Sequence, residues 1–157
     1  VSDSLGHGLG IGCGMALAGR LSNMAYKVFV VLGDAECSEG SVWESAAFAQ
    51  HHGLNNLVAF VDDNKLGVLG PSVMLGDLAG RWHSFGWNTR DCNGHDFNQM
   101  LRVLRDLRLE YQEHPTMVHL GTIKGKGVSF MEGKAEWHNR IPEGEWAKNG
   151  AKELGLA

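Results

Sequence analysis

Two side chains suited to a divalent cation, Asp34 and Asn64, each follow an apolar run that predicts a strand. Residues 28–32 form the first run and residues 57–61 form the second. The spacing of about 30 residues between Asp34 and Asn64 is what a strand–helix–strand crossover needs to return to the same sheet edge. Taken singly, either residue is also an ordinary turn residue after a strand. Because hard divalent cations take oxygen ligands and keep phosphates in their coordination shell, the pair predicts a metal–phosphate site.

The segment between the two runs predicts the crossover helix. Ser41 followed by Glu44 is a capping-box pattern, and Gly53 suits the left-handed residue that often follows a helix end. Residues 117–123 predict a third strand. Residues 9–21 predict a glycine-rich helix, whose Gly-x-Gly-x-x-Gly register is not a dinucleotide motif because no strand precedes it. Continuous apolar strands separated by helices predict an α/β fold with a mainly parallel sheet.

A second predicted helix begins near residue 97. Asp96 and Gln99 form a capping pair at its start. Apolar residues then recur at helical spacing and are expected to face the core, whereas the arginines between them are expected in solvent. The expected core-facing residues are Phe97, Leu101, Leu104, Leu107 and Tyr111. A short helix before residue 87 is expected to contribute three further core residues, Leu78, Trp82 and Phe85.

Composition bounds the class of protein. A chain of 157 residues predicts one domain with a substantial core. The net charge of −4 gives no basic surface for nucleic acid. Three cysteines without a Cys-x-x-Cys pair predict neither a disulfide framework nor a zinc site, and reduced thiols suggest the cytoplasm. No apolar run approaches the roughly 20 residues of a membrane span, and no signal peptide is visible.

At the metal–phosphate residues, the chain resembles the thiamine-diphosphate-binding domain of transketolases. The family motif opens with Gly-Asp-Gly and closes with Asn, here Gly33-Asp34-Ala35 and Asn64. The resemblance continues at residues 36–40 (ECSEG), at residues 4–8 (SLGHG) with 14–18 (GMALA), and at residues 124–130 (KGKGVSF) with 137–138 (WH). These segments lie in family order over roughly residues 5–142. The resemblance implies a three-layer αβα fold.

The resemblance implies a set of site residues. Mg²⁺ or Ca²⁺ would be held by the side chains of Asp34 and Asn64 and by the backbone carbonyl of Leu66. His138 and Glu39 are implied as catalytic, with Glu39 at a subunit interface. The implied contacts to thiamine diphosphate are Leu5, Gly6, Gly33, Asp34, Ala35, Glu39, Asn64, Leu66 and His138.

Two positions depart from the family pattern. The third motif residue is normally glycine, whose backbone N–H can approach a phosphate closely, and here it is Ala35. We expect this change to affect cofactor affinity rather than cofactor identity. Asn139 stands where the family usually continues with glycine after His138, which alters the expected loop.

The resemblance implies that this chain is the diphosphate- and metal-binding part of a transketolase-type enzyme. Such enzymes transfer a two-carbon ketol unit from a ketose phosphate to an aldose phosphate. The expected partner is a pyrimidine-domain subunit, or further C-terminal domains, in an oligomer. We expect residues 1–157 to form a single diphosphate-binding domain that is truncated at its N-terminus and inactive alone. Sugar phosphates are the expected substrates, with neither nucleic acid nor membrane as a partner.

Two alternatives remain open. In the first, the chain is a non-catalytic fragment or decoy subunit that pairs with a partner without holding cofactor, as Ala35 and the missing N-terminal segment would favour. In the second, it is similar to the α-subunit of a 2-oxoacid dehydrogenase, which shares the metal motif. Residues 39–40 (EG) and 124–130 argue against this second alternative.

Overall fold

A four-stranded parallel sheet forms the centre of the computed structural model, which describes residues 4–73 and 76–156. The strand order is β1-β2-β6-β5, and every neighbouring pair is parallel. The ends of the expected 1–157 domain lie outside the described residues. In chain order the elements are α1 (Gly8–Leu21), β1 (Val28–Gly33), α2 (Gly40–His51), β2 (Leu57–Asp63), β3 (Leu66–Gly67), β4 (Gly70–Pro71), α3 (Leu78–Ser84), β5 (Asn88–Asn93), α4 (Phe97–Leu109), β6 (Thr116–Gly121) and α5 (Glu145–Glu153).

The predicted crossover is confirmed. β1 and β2 run parallel and in register, with Val28 opposite Leu57 and Gly33 opposite Asp62, and α2 connects them. Gly53 follows α2 with φ +54°, the left-handed conformation that glycine adopts most readily. The mainly parallel α/β prediction is therefore correct, and its register brings the ends of β1 and β2 to the same edge.

The first face of the sheet is covered by α1, α2 and α3. Alternate residues of β1 and β2 point to this face and pack against these helices in one buried cluster. Trp82 of α3 is completely buried there, as predicted, and its ring packs against the rings of Trp43 and Trp87. The other buried members include Leu9, Val42, Ala46, Leu54, Leu57, Val61, Leu78 and Met117.

The second face is covered by α4 alone among the described elements that join its buried cluster. Met100, Val103 and Leu107 of α4 pack there against Val58 and Val118. Together, the two faces give helix layers on both sides of the sheet, as the resemblance implied.

The predicted core face of α4 is wrong except at Leu107. Phe97 is 79% exposed and Leu101 is 63% exposed, and Leu104 and Tyr111 are exposed as well. The helix is rotated so that the stripe through Met100 and Leu107 meets the sheet. The apolar face of α4 is broader than the part of it that contacts the sheet. Residues at 3.6-residue spacing can therefore lie on the buried stripe or beside it, and the spacing alone does not distinguish the two.

Two smaller expectations are also wrong. Ser41 does not cap α2, because the helix begins at Gly40 after the N-cap residue Glu39, and the Ser41 hydroxyl instead donates to the carbonyl of Gly6 at 2.9 Å. Phe85 contacts Trp43, but it is 37% exposed and does not belong to the buried core. By contrast, Asp96 caps α4 as predicted and accepts from the backbone N–H groups of Asn98 and Gln99.

Within the described part of the chain, no helix is long and apolar enough to cross a membrane.

Candidate diphosphate and metal site

The site residues lie at the carboxyl edge of the sheet, where β1 and β2 end. The backbone N–H of Asp34 donates to the carbonyl of Asp62 at 3.0 Å, which extends the β1–β2 pairing by one residue. Asp34 is therefore fixed beside the chain that leads through Asp63 into Asn64. The predicted juxtaposition of the two strand ends is observed.

Asp34 is buried and has one unpaired oxygen. Its side chain is 2% exposed, and its Oδ1 accepts from the Ala35 N–H at 2.8 Å. Its Oδ2 is buried and has no hydrogen-bond partner among the described residues. Burial, and secondarily the neighbouring charge of Asp63, raises the pKa of the Asp34 carboxyl above its usual range. A buried carboxylate oxygen without a donor fits a bound cation, which would supply the missing positive charge.

Asn64 is held with its amide oxygen towards Leu66. Its Oδ1 accepts from the Leu66 N–H at 3.0 Å, and its Nδ2 lies 3.4 Å from Asp62 Oδ2. The other oxygen of Asp62 accepts from the Thr122 hydroxyl. These contacts orient the amide and leave the second lone pair of Asn64 Oδ1 for a further ligand.

A short hairpin made by β3 and β4 follows Asn64 and presents the Leu66 backbone. The N–H of Ser72 donates to the carbonyl of Lys65 at 2.9 Å, and Leu66 lies opposite Pro71. Leu66 therefore occupies the alternate position, whose N–H and C=O point away from the partner strand. Since that N–H points to Asn64, the Leu66 carbonyl lies on the Asn64 side of the hairpin.

Asp63, whose charge also acts on Asp34, belongs to a hydrogen-bond network that the sequence analysis missed. Its carboxylate accepts from the Lys65 ammonium and lies 2.7 Å from His119 Nε2, while His119 Nδ1 lies 2.8 Å from Asp91 Oδ1. Burial acts to raise the pKa of Asp63, but the hydrogen bonds from Lys65 and His119 outweigh it and hold that pKa below its usual range. The available signal was a histidine inside the mainly apolar strand β6.

The Ala35 departure causes no backbone strain. Ala35 has φ −65° and ψ −34°, the right-handed region open to any L residue. A Cβ added at Gly67 would lie 3.6 Å from the Ala35 methyl group, at ordinary contact distance, so the methyl group faces the hairpin without crowding it. An alanine at this position is compatible with the same turn.

The turn before α1 lies against the start of α2. Gly6 has φ +79°, and a Cβ there would lie 2.7 Å from the Cβ of Glu39. Leu5 and Glu39 are both exposed, and Glu39 makes no capping hydrogen bond within the described residues. Three predicted cofactor contacts, Leu5, Gly6 and Glu39, are therefore brought together.

His138 lies in a separate segment that reaches the same region. It ends the single helical turn Ala135–Trp137, which contacts β4, and its side chain is exposed. Trp137 anchors the turn, because its side chain is 7% exposed and its Nε1 donates to the Phe130 carbonyl at 3.0 Å. The structure thus places the His138 loop beside the hairpin that carries Leu66.

The donor set is made of oxygens rather than a cluster of acidic, histidine or cysteine side chains. Among the described residues, no group of three or more His, Cys, Asp or Glu is arranged to hold a metal ion. The expected ligands are one carboxylate, one amide and one backbone carbonyl, which need phosphate and water oxygens to complete a Mg²⁺ or Ca²⁺ shell. That the three ligands share one ion stays a prediction.

Comparison with known proteins gives consistent results. A sequence profile described as "Transketolase, thiamine diphosphate binding domain" matches residues 2–156. An apulose-4-phosphate transketolase subunit from Phocaeicola vulgatus is 37% identical over 156 residues, which are 98% of this chain and 55% of that protein. The 6-deoxy-6-sulfo-D-fructose transketolase subunit SqwG of Clostridium sp. is 36% identical over 92% of this chain and 54% of its own length. The chain therefore spans about half the length of these relatives.

A solved structure shows the same fold. Transketolase from Campylobacter jejuni superposes with a TM-score of 0.89 at 22% identity, covering 97% of this chain and 25% of that chain. At this identity the likeness concerns the fold alone.

Proposed function

Because this chain belongs to the transketolase thiamine-diphosphate-binding domain family, we propose that it is the diphosphate- and metal-binding part of an enzyme that moves a two-carbon ketol unit between sugar phosphates. The observation that carries the proposal is the buried, unpaired Oδ2 of Asp34 beside the Asn64–Leu66 turn. Thiamine diphosphate, when bound, supplies the nucleophilic carbon and electron sink for such a transfer.

The residues of this chain have separate tasks in the proposed site. Asp34, Asn64 and the Leu66 carbonyl would hold Mg²⁺, with Ca²⁺ as a substitute, and through it the diphosphate. The Gly33-Asp34-Ala35 backbone and the Leu5–Gly6 turn would line the cofactor. The exposed His138 would face the donor substrate from the loop beside β4.

Completion by a partner is part of the proposal. We propose that residues 1–157 are one diphosphate-binding domain, with the aminopyrimidine half of the site on a separate subunit or on further domains. The names of the relatives in Phocaeicola vulgatus and Clostridium sp. describe transketolase subunits, which supports this arrangement. Glu39 is exposed at the start of α2 and would contact the partner. The three cysteines are free thiols, which suits the cytoplasm as the proposed location.

The decoy alternative loses the support that Ala35 gave it. Ala35 favoured it at the sequence level, yet the Ala35 backbone is unstrained. The family match likewise favours a transketolase over a 2-oxoacid dehydrogenase α-subunit. The decoy is therefore retained only as an outcome of the binding experiment.

The test is calorimetric titration of thiamine diphosphate with and without Mg²⁺, first on the chain alone and then with a pyrimidine-domain partner. We expect weak, Mg²⁺-dependent binding by the chain alone, and tighter binding with ketol transfer in the complex. Asp34→Asn should abolish the Mg²⁺ dependence, whereas Asp106→Asn on α4, away from the site, should leave it unchanged. No Mg²⁺-dependent binding in the complex would favour the decoy, and robust turnover by the chain alone would refute the need for a partner.

A further inference from the structure

The carboxylate of Glu36 joins two turns that are far apart in the sequence. Its Oε1 accepts from the backbone N–H of Gly6 at 2.9 Å, and its Oε2 accepts from the backbone N–H of Gly33 at 3.2 Å. Gly33 immediately precedes Asp34, and Gly6 belongs to the turn that leads into α1. One side chain therefore ties the end of β1 to the turn before α1.

The Gly6 peptide is held from its other side as well. Its carbonyl accepts from the Ser41 hydroxyl at 2.9 Å. A Cβ at Gly6 would lie 2.4 Å from that hydroxyl oxygen, closer than atoms approach without a shift. With φ +79° and both backbone polar groups bonded to the segment after Asp34, Gly6 has little freedom to move.

Both oxygens of Glu36 are engaged by the backbone. Each already accepts one backbone N–H, and such hydrogen bonds to a charged acceptor are stronger than neutral ones. The neighbouring Asp34 differs, because one of its oxygens has no partner among the described residues. Glu36 therefore holds the backbone, whereas Asp34 offers an oxygen without a partner.

We propose that Glu36 is a positioning residue for cofactor binding, which fixes the Leu5–Gly6 turn against Gly33 and Asp34 so that both sides of the cofactor site are preformed. This role rests on the proposed function, since it concerns the same thiamine diphosphate site. Preforming the site removes an ordering step that would otherwise weaken binding. The loss of Glu36 should therefore weaken cofactor affinity through the two turns that it holds.

Glu36→Gln is the direct test, with Glu44→Gln as the matched control. A glutamine has one acceptor oxygen, and its NH₂ group would face a backbone N–H, so it cannot accept both hydrogen bonds. Glu44 lies exposed on α2, where the same substitution removes the same charge. The readouts are amide hydrogen exchange at Gly6 and Gly33 without ligand, and calorimetric affinity for thiamine diphosphate with Mg²⁺.

We expect Glu36→Gln to speed exchange at both glycines and to weaken thiamine diphosphate binding about tenfold, the scale of one lost hydrogen bond to a charged group. Glu44→Gln should change neither quantity. Faster exchange with unchanged affinity would overturn the positioning role, as would unchanged exchange. Failure of the wild-type protein to bind the cofactor would refute the proposed function first, before any variant is compared.

Ser41→Ala keeps the test decisive if Glu36→Gln does not fold. It removes only the hydroxyl contact to the Gly6 carbonyl. The same pattern is expected at a smaller size, about threefold in affinity, because a neutral hydrogen bond contributes less. Unchanged affinity together with faster exchange at Gly6 would again overturn the proposal.

Discussion

The two faces of the central sheet are covered to different extents. On the first face, α1, α2 and α3 pack against β1 and β2, and the largest side chain, Trp82, has no exposed surface. On the second face, α4 lies over β5 and β6. The outward residues of β1 remain open there, with Phe29 51% and Val31 72% exposed.

This difference shows that amphipathic periodicity and burial are separate properties. A parallel sheet normally has both faces covered, so exposed apolar residues on its second face indicate surface available to another polypeptide. The exposed stripe of α4 borders the same cluster, which includes the half-buried Phe60 behind Phe29. The first face should therefore determine the stability of the isolated chain, and the second face its association.

The largest expected effect tests the first half of this contrast. Trp82→Ala should lower the free energy of unfolding by about 3–5 kcal/mol, because it leaves a cavity in the closed core. Phe97→Ala is the matched control on α4, where the ring is 79% exposed, and should change it by less than about 0.5 kcal/mol. Urea denaturation measures both. Similar losses for the two variants would show that the faces are equally important for stability.

The second prediction concerns association through the open face. Val31→Lys places a charge on the edge strand β1. A lysine there disfavours both pairing with a strand of another chain and burial against an apolar surface. The isolated chain should self-associate through this surface, and the variant should do so about tenfold more weakly, the scale of one valine left unburied. Val68→Lys in the hairpin turn, also exposed, serves as the control. Sedimentation velocity over a concentration series measures the change, and equal association of the two variants would contradict it.

The sequence predicted the parts of this molecule that depend on local pattern. The runs that became β1 and β2, the spacing between them and the Asp96 cap of α4 were all identified correctly, because period, length and capping chemistry are encoded within a few residues. The rotation of α4 was not predicted correctly, because the side of the helix that is buried depends on how it packs against the sheet. Burial of Phe97 cannot be read from its own segment.

The site was predictable to a similar degree. Family motifs indicated Asp34, Asn64 and Leu66, and the structure brings the elements that carry them to one edge. The Glu36 bridge and the pairing of Asp63 with His119 join segments distant in sequence, so no local pattern reveals them. Such contacts follow from the sheet register, which only the assembled fold defines.

The third prediction concerns Asp34, which is buried directly after the carboxyl end of β1. Its folded-state pKa is raised above the ordinary value of 3.8, first by burial, so the folded state binds the proton more tightly than the unfolded state. The contribution of Asp34 to the stability of the metal-free protein should therefore fall as pH rises through the window from 3.8 to the raised pKa. Asp34→Asn should remove this dependence and raise stability at pH 7 by about 1 kcal/mol, since the neutral amide neither buries a charge nor is repelled by the carboxylate of Asp63.

Thermal unfolding of Asp34→Asn and wild type between pH 2.5 and pH 8, in a metal chelator, measures this difference. Below the usual carboxyl pKa the two proteins should converge, because Asp34 is then protonated in both folded and unfolded wild type. With Mg²⁺ and thiamine diphosphate the order should reverse, since only the wild type gains binding energy. A variant less stable than wild type at pH 7 without metal would contradict the expected penalty at Asp34.

The smallest expected effect lies at the rim of the open face. Arg90 on β5 forms an ion pair with Glu110, the residue that follows α4, and their side chains are 29% and 52% exposed. A double-mutant cycle with Arg90→Gln and Glu110→Gln should give a coupling of about 0.2–1 kcal/mol, because solvent screens the pair and ordering two long side chains opposes it. The coupling should decrease further in 1 M salt, where the Debye length is about 3 Å. A coupling above about 2 kcal/mol that persists in salt would mean that electrostatics, rather than the packing of Met100, Val103 and Leu107, holds α4 on the sheet. The second face would then contribute more to the stability of the chain than its exposed apolar surface indicates.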